Sequence, residues 1–207
     1  VLNNKIILSG YSGHGLVVAD AIIEADLALL GYTDLEKKEK NPFGLRYLGT
    51  ENSLLDIYWK EPYKYIIGIG DNTLRSKLAS MICNKGGQLI SIFHPSACIS
   101  KTATIGTGTF ISANAIINSL VSISENCIIN TGAIIEHECE ISDNVHIAPA
   151  AVLAGNVKVG ANSFIGANSV IKQGVEIGKN VIVGAGSVVI NNIPDNKKIV
   201  GNPGKEI

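Results

Sequence analysis

Residues 128–153 read IINTGAIIEHECEISDNVHIAPAAVL, and the period of this stretch decides the fold. An aliphatic side chain returns every six positions, at Ile129, Ile135, Ile141, Ile147 and Leu153. Followed in both directions, the register runs from Ile99 to Val183, and counting in sixes gives 15 repeats without a slip. Four residues after each aliphatic stands a small or β-branched residue, as at Ala133, Cys139, Val145, Ala151 and Val157. A hexapeptide period is the mark of a parallel β-helix solenoid. Each hexad is one flat face of a triangular prism, so 15 hexads give five coils, with the aliphatic inside and the small residue at the corner. At about 4.8 Å between stacked strands the prism is roughly 24 Å tall. Each coil buries its core only against its neighbours.

The remaining composition suits such a fold and excludes several partners. Aromatics are only 5% of the chain while glycine occurs 22 times, a balance for thin layers of small residues. With 17 Lys and Arg against 18 Asp and Glu, no basic face recommends nucleic acid. No apolar run approaches the ~20 residues of a membrane span, and there is no signal peptide. The chain begins at Val1 rather than at a methionine, which points to residues ahead of it. Cys83, Cys98, Cys127 and Cys139 form no CxxC pair and read as reduced thiols of a cytoplasmic protein.

Residues 1–95 follow a different grammar from residues 96–207. Apolar runs at Lys5–Leu8, Leu27–Tyr32, Tyr65–Ile69 and Ile90–Phe93 predict strands. Helical spacing predicts a helix over Leu16–Ala25, and a second helix follows the Gly70-Asp71-Asn72 turn and runs through about Asn84. Strands that alternate with helices predict a small α/β domain with a parallel, Rossmann-like sheet. Its loop Gly10–Gly15 follows a strand and opens a helix, where backbone N–H groups and the helix dipole receive a phosphate. The other reading of this loop is a tight βα turn, and it lacks the third glycine of a dinucleotide fingerprint. Asp34, at the end of the second strand, either accepts from a base or ribose or caps a turn.

Of four histidines only His137 and His146 lie in the repeat, and neither takes the aliphatic slot. His137 stands on the outside of its hexad between Glu136 and Glu138. Imidazole, with a reference pKa of about 6.5, suits a general base, and a carboxylate on its ring fixes the tautomer. His146 alone reads as a solvent-facing corner residue. Cys139, two residues past His137, occupies a small inward slot and reads as core rather than as a nucleophile. Outward apolar residues such as Ile117, Leu120 and Ile129 motivate a trimer through the flat faces.

Ser9-Gly10-Tyr11-Ser12-Gly13-His14-Gly15, Gly31-Tyr32-Thr33-Asp34, Gly68-Ile69-Gly70-Asp71-Asn72 with Arg75, Ile135-Glu136-His137-Glu138-Cys139 and Ala154-Gly155-Asn156-Val157 carry a resemblance over nearly the whole chain. It resembles the bacterial sugar O/N-acyltransferases, which include PglD-type enzymes acetylating a UDP-linked 4-amino sugar and NeuD-type sialic-acid O-acetyltransferases. The resemblance implies a left-handed β-helix, acetyl-CoA as donor, a homotrimer and no metal. It makes His137 the base and Glu138 the residue that raises its basicity. It places Ser12, Gly13 and His14 on the diphosphate of a nucleotide sugar, Asp34 and Leu35 by the base, and Gly70 on the substrate through its backbone. Leu35 departs from the family pattern, which carries a second acidic residue there. By the same resemblance His146, Gly155, Ala167 and Ala185 contact acetyl-CoA, and Lys172 meets a phosphate. Gly201-Asn202-Pro203-Gly204-Lys205 is close to the family's Gly-x-Pro-Ala-Lys ending. The expected reaction is direct N-acetylation of a UDP-4-amino-dideoxy sugar. The alternatives are O-acetylation of sialic acid or another free sugar, and a regulatory trimer that only binds a nucleotide sugar. Zinc carbonic anhydrases with this helix need three converging histidines, and the repeat supplies two.

Overall fold

The computed structural model describes residues 5–60 and 62–207. Strands β1 (Lys5–Ser9), β2 (Leu29–Thr33), β3 (Arg46–Tyr47) and β4 (Tyr63–Ile67) form a parallel sheet in the order β3-β2-β1-β4. Alternation along β1 sends Ile6 and Leu8 to one face and Ile7 to the other. Helix α1 (Gly13–Glu24) covers the first face with Val18 and Ile22. Helix α2 (Asn72–Asn84) covers the second with Leu78 and Ile82. Burial on both faces explains why β1 reads as a continuous apolar run rather than an alternating one. The first helix begins at Gly13, ahead of the predicted Leu16, because the phosphate-type loop closes in three residues after β1. The edge strand β3 and a 3-10 turn at Asp56–Trp59 carry too few residues to show a period.

One predicted strand changes its owner. Gln88–Ile90 bridges the sheet edge at Tyr65, but β5 (Ile92–Phe93) pairs with Phe110–Ile111 of the solenoid. Ile90–Phe93 is therefore not the last strand of the α/β sheet: Ser91 alone separates the residues paired with one unit from those paired with the other. We propose the boundary near residue 95, which cuts the first coil.

The rest is a left-handed parallel β-helix of two-residue parallel strands in three sheets, one of which ends in the three-residue strand Lys198–Val200 and the antiparallel strand Lys205–Glu206. On the face that begins at Cys98–Ile99, six rungs stack down to Val188–Val189, so the inward register runs one hexad beyond Val183. Fourteen successive corner residues, from 108 to 186 in steps of six, have φ near +60°. This region favours Gly and Asn, and 11 of the 14 are Gly or Asn.

The three outer faces differ in chemistry. One presents Thr104, Ser122, Glu140, Lys158 and Glu176, a ladder for water. A second presents Cys98, Ile116, Ile134, Val152, Val170 and Val188, an apolar ladder. The third presents Ile92, Phe110, Ile128 and His146, all buried beneath the α/β domain. Ile117 and Ile129, expected outside, point inward and are buried, because they occupy the aliphatic slot itself. Leu120 is exposed as expected.

The α/β domain is fastened by polar groups as well. Arg75, 1% exposed, donates to the carbonyl oxygens of Asn126 (3.0 Å) and Asn144 (2.9 Å) at two stacked corners. It also donates to Gly70 O and to Asn72 Oδ1. Asn72 Nδ2 reaches the carbonyls of Asn162 and Ser163. A buried guanidinium is costly unless its donors are used, so carbonyls that the corners leave free become its partners.

Candidate active site

His137 and Glu138 lie at the corner between the apolar face and the polar face. The ring Nδ1 is 3.0 Å from Glu138 Oε2. A carboxylate only accepts, so Nδ1 carries the proton and Nε2 keeps its lone pair. Both side chains are about half exposed. Beneath the ring lies Gly155: a Cβ there would stand 2.5 Å from both Cε1 and Nε2 of His137. The glycine, one coil further on, is thus the floor on which the imidazole rests. Cys139 is buried in the core, its thiol donating to Ala154 O at 3.2 Å and pushed up in pKa by burial.

The α/β domain carries a cleft of about 410 Å³ at the carboxyl ends of β1, β2 and β4, where strand order reverses and doubly wound sheets bind ligands. Gly10, Ser12, Asp34, Leu35, Glu51 and Lys77 are among its lining residues. Two loop glycines answer to packing. A Cβ at Gly10 would meet Ile69, and one at Gly15 would meet Gly10 O at 2.2 Å. Gly13 has no such reason, since nothing lies within 4 Å of its absent Cβ. Ser12 caps α1 without a side-chain hydrogen bond, leaving the first-turn N–H groups for an anion. Asp34 does what a turn cap does: it accepts from the N–H groups of Tyr11 (2.9 Å) and Leu35 (2.7 Å) and pairs with Lys38. Leu35 is 88% exposed at the cleft's rim.

His14 and His146 meet between the two units, with ring centroids 6.1 Å apart. His146 is 7% exposed, not a solvent-facing corner residue, because the Gly70 loop roofs it. Its Nδ1–H donates to Gly70 O at 3.1 Å, leaving Nε2 to accept from Asn130 Nδ2 at 3.1 Å. The His14 ring turns inward against Phe110, and its buried Nε2 has no hydrogen-bond partner. Burial first, and then repulsion from the neighbouring cations, lowers the His14 pKa to about 3; burial lowers that of His146 to about 4. Neither ring is suited to be the base at neutral pH.

The predicted residues therefore fall into three groups. His137, Glu138 and Gly155 cluster at one corner, and Ser12, Gly13, Asp34 and Leu35 at the cleft or its loop. His14, Gly70 and His146 form the seam between the units. Ala167 and Ala185 stack on another corner, where Gly186 N–H donates to Ala167 O, away from Gly155. Within one chain His137 stands across the prism from the face that the α/β domain covers. Arg75, quoted above only as part of a motif, proves to be the tie between units. Glu51 and Asn130 gave no signal, since neither lies in a motif. Among the described residues no three His, Cys, Asp or Glu side chains converge as metal donors, and no helix is long and apolar enough to cross a membrane.

Comparison with known proteins bears on this arrangement. The PglD N-terminal domain matches residues 5–82, and the bacterial transferase hexapeptide (six repeats) matches residues 156–191. A UDP-N-acetylbacillosamine N-acetyltransferase of Bacillus subtilis (strain 168) is 36% identical over 111 residues, 53% of this chain. That match spans about half (51%) of the relative's own length. Among solved structures, the acetyltransferase domain of PglB from Neisseria gonorrhoeae FA1090 is 31% identical with a TM-score of 0.91, covering 99% of this chain and all of that one. PerB from Caulobacter crescentus, solved in complex with CoA and GDP-perosamine, is 32% identical with a TM-score of 0.92, covering 98% and 97% of the two chains. Coverage of both chains end to end, with a matching domain in each half, places this chain in the PglD-like family of hexapeptide-repeat sugar acetyltransferases.

Proposed function

We propose that this protein transfers the acetyl group of acetyl-CoA to the amine of a nucleotide-linked amino sugar, with His137 as general base. The observation that carries the reading is the His137–Glu138 pair with a proton-free Nε2 held above Gly155. In the reaction the sugar nitrogen attacks the thioester carbonyl while Nε2 takes its proton. Glu138 stabilises the imidazolium that forms. The tetrahedral adduct collapses to the amide, the C–S bond breaks, and the imidazolium returns a proton to the CoA thiolate. No acyl-enzyme is needed. Cys127 and Cys139 are buried, with pKa values raised by burial, to about 12 for Cys127.

The N-terminal cleft supports a nucleotide sugar over a free sugar such as sialic acid, because Gly13 and the uncapped start of α1 suit a diphosphate. The relatives agree in class: one is named for a UDP-linked amino sugar and another was solved with GDP-perosamine and CoA. The active form is a trimer. One prism face is covered by the chain's own α/β domain, one is polar, and the apolar ladder from Cys98 to Val188 is left for a second copy. Such packing brings His137 of one subunit to the cleft of the next, which a single chain cannot do for itself.

The test is a thiol-release assay over a panel of UDP-, GDP- and dTDP-amino sugars with free sialic acid alongside. His137→Ala should lower kcat by about 10²–10⁴-fold. A variant that keeps more than half of the wild-type kcat removes His137 from the mechanism.

A further inference from the structure

From the N-terminal cleft we infer that the nucleotide is a guanosine diphosphate, its base read by the buried carboxylate of Glu51. The inference rests on the reading of the Gly10–Gly15 loop as a diphosphate holder, and departs from the uridine nucleotide that the family resemblance implies.

Glu51 is 8% exposed and lines the cleft. One of its oxygens, Oε1, is fixed by the Thr33 hydroxyl at 2.5 Å, and that hydroxyl is in turn 3.1 Å from Ser9 Oγ. Its backbone is held as well, since Lys85 Nζ donates to Glu51 O at 3.2 Å. Among the described residues no cation pairs with the carboxylate, and Oε2 receives no hydrogen bond. A carboxylate has about four lone-pair sites, and one of these is used. Oε2 is not sealed in the core but open to the cleft, so a ligand entering the cavity can bring donors to it.

The rest of the cleft says what shape that ligand has. Leu35, Ile69, Leu74 and Met81 supply apolar walls, with Leu35 and Leu74 left 88% and 56% exposed. Such walls suit a flat aromatic ring. The loop of Ser12 and the exposed Lys77 border the same cavity and suit the phosphates. Among the common bases, only guanine presents two adjacent N–H donors on one edge, N1–H and the 2-amino group, to match two carboxylate oxygens. Uracil and thymine offer one N–H between two carbonyls, so the second carboxylate oxygen would face a carbonyl oxygen. Adenine and cytosine place a lone-pair nitrogen beside their amino group, with the same conflict.

The test is titration calorimetry of the full chain with GDP, IDP, UDP and ADP. Inosine lacks the 2-amino group and so removes one of the two donors without touching the protein. A lost hydrogen bond to a charged group corresponds to about tenfold or more in Kd. GDP should therefore bind at least about tenfold tighter than IDP, and tighter than UDP or ADP. Glu51→Gln should weaken GDP by a similar factor and erase the GDP/IDP difference. UDP binding as tightly as GDP, or GDP and IDP binding alike to the wild-type protein, overturns the assignment. Thiol release with a UDP-linked rather than a GDP-linked amino sugar overturns only the guanine assignment and leaves the acetyltransferase reading intact. Absence of thiol release with every nucleotide-linked amino sugar sinks that reading, while the GDP/IDP ratio still decides the role of Glu51.

Discussion

Replacing Gly155 with alanine should separate chemistry from folding in one step. The three atoms nearest to the missing Cβ all belong to His137, at 2.5, 2.5 and 3.2 Å. Ordinary contact begins near 3.4 Å, so the ring must retreat by about 0.9 Å. It cannot do so and keep its 3.0 Å bond to Glu138 unless the carboxylate follows. A misplacement of about 1 Å costs on the order of 10²-fold in rate, or about 2.7 kcal/mol of transition-state stabilisation. The backbone has no objection to a side chain, because Gly155 is not among the positive-φ glycines. Stability should then be unchanged or raised by about 0.4–1 kcal/mol, as for other compatible Gly→Ala changes. Measured by thiol release and thermal melting, Gly155→Ala should show kcat down about 100-fold, an unchanged KM for the nucleotide sugar, and a Tm no lower than wild type. A kcat within twofold of wild type would refute the idea that the glycine seats the base. A fall in both kcat and Tm would assign it an ordinary packing role.

Glu138, at φ +59°, pays the strain of a left-handed corner, so Glu138→Asn should raise unfolding free energy by up to about 1 kcal/mol while kcat falls at least tenfold; denaturant titration and thiol release check the two halves. His14 and His146 have folded pKa values depressed to about 3 and about 4, below the unfolded value near 6.5. The unfolded state therefore binds more protons, and stability present above pH 6.5 is lost as pH falls toward 4, by about 1.4 kcal/mol per pH unit for each histidine. Denaturant midpoints from pH 7.5 to 4.5 should show the slope, and His146→Gln should flatten it. Gly13→Val, whose Cβ meets nothing within 4 Å in the fold, should disable the sugar site; mixed with His137→Ala in one trimer, it should restore about a quarter of the sites if they are shared between subunits. No recovery in the mixed trimer refutes sharing.

The solenoid was legible because its signal is periodic and repeats fifteen times, so chance errors at single positions do not move the register. The same rule that finds inward aliphatics also misleads at the surface. Ile117 and Ile129 sit in the aliphatic slot and point inward, whereas their neighbours Ile116 and Ile128 face out. Since strand side chains alternate, a shift of one residue changes the face. His137 and Glu138 were legible because adjacency in sequence brings them together. The roof over His146 was not, because it comes from Gly70, 76 residues away. Glu51 lies in a stretch with no period and no motif, and only the folded chain carries it to the ends of β1 and β2. The strand at Ile92–Phe93 was found, but its partner was not: a two-residue strand states no preference between two sheets.

The corner residues offer a way to tell structural from functional choices without any comparison. Every sixth residue must adopt a left-handed conformation, and the fold shows what it prefers there by using Gly or Asn at 11 of the 14 positions. The exceptions are Leu120, Glu138 and Ala150. Leu120 and Glu138 are 18 residues apart and so stack directly on one corner, above Asn156, whose N–H donates to His137 O at 2.8 Å. Nothing in the packing asks for a carboxylate at 138, since the side chain is more than half exposed and bonds only to His137. A residue that costs the backbone about 1 kcal/mol and gives nothing to the core is retained for what its side chain does. The same reasoning sets Gly155 apart from the corner glycines. Its φ does not require glycine, and the atoms it makes room for are those of the imidazole. Strain accepted at Glu138 and a side chain forgone at Gly155 bracket one ring, the one whose Nε2 is left free to act.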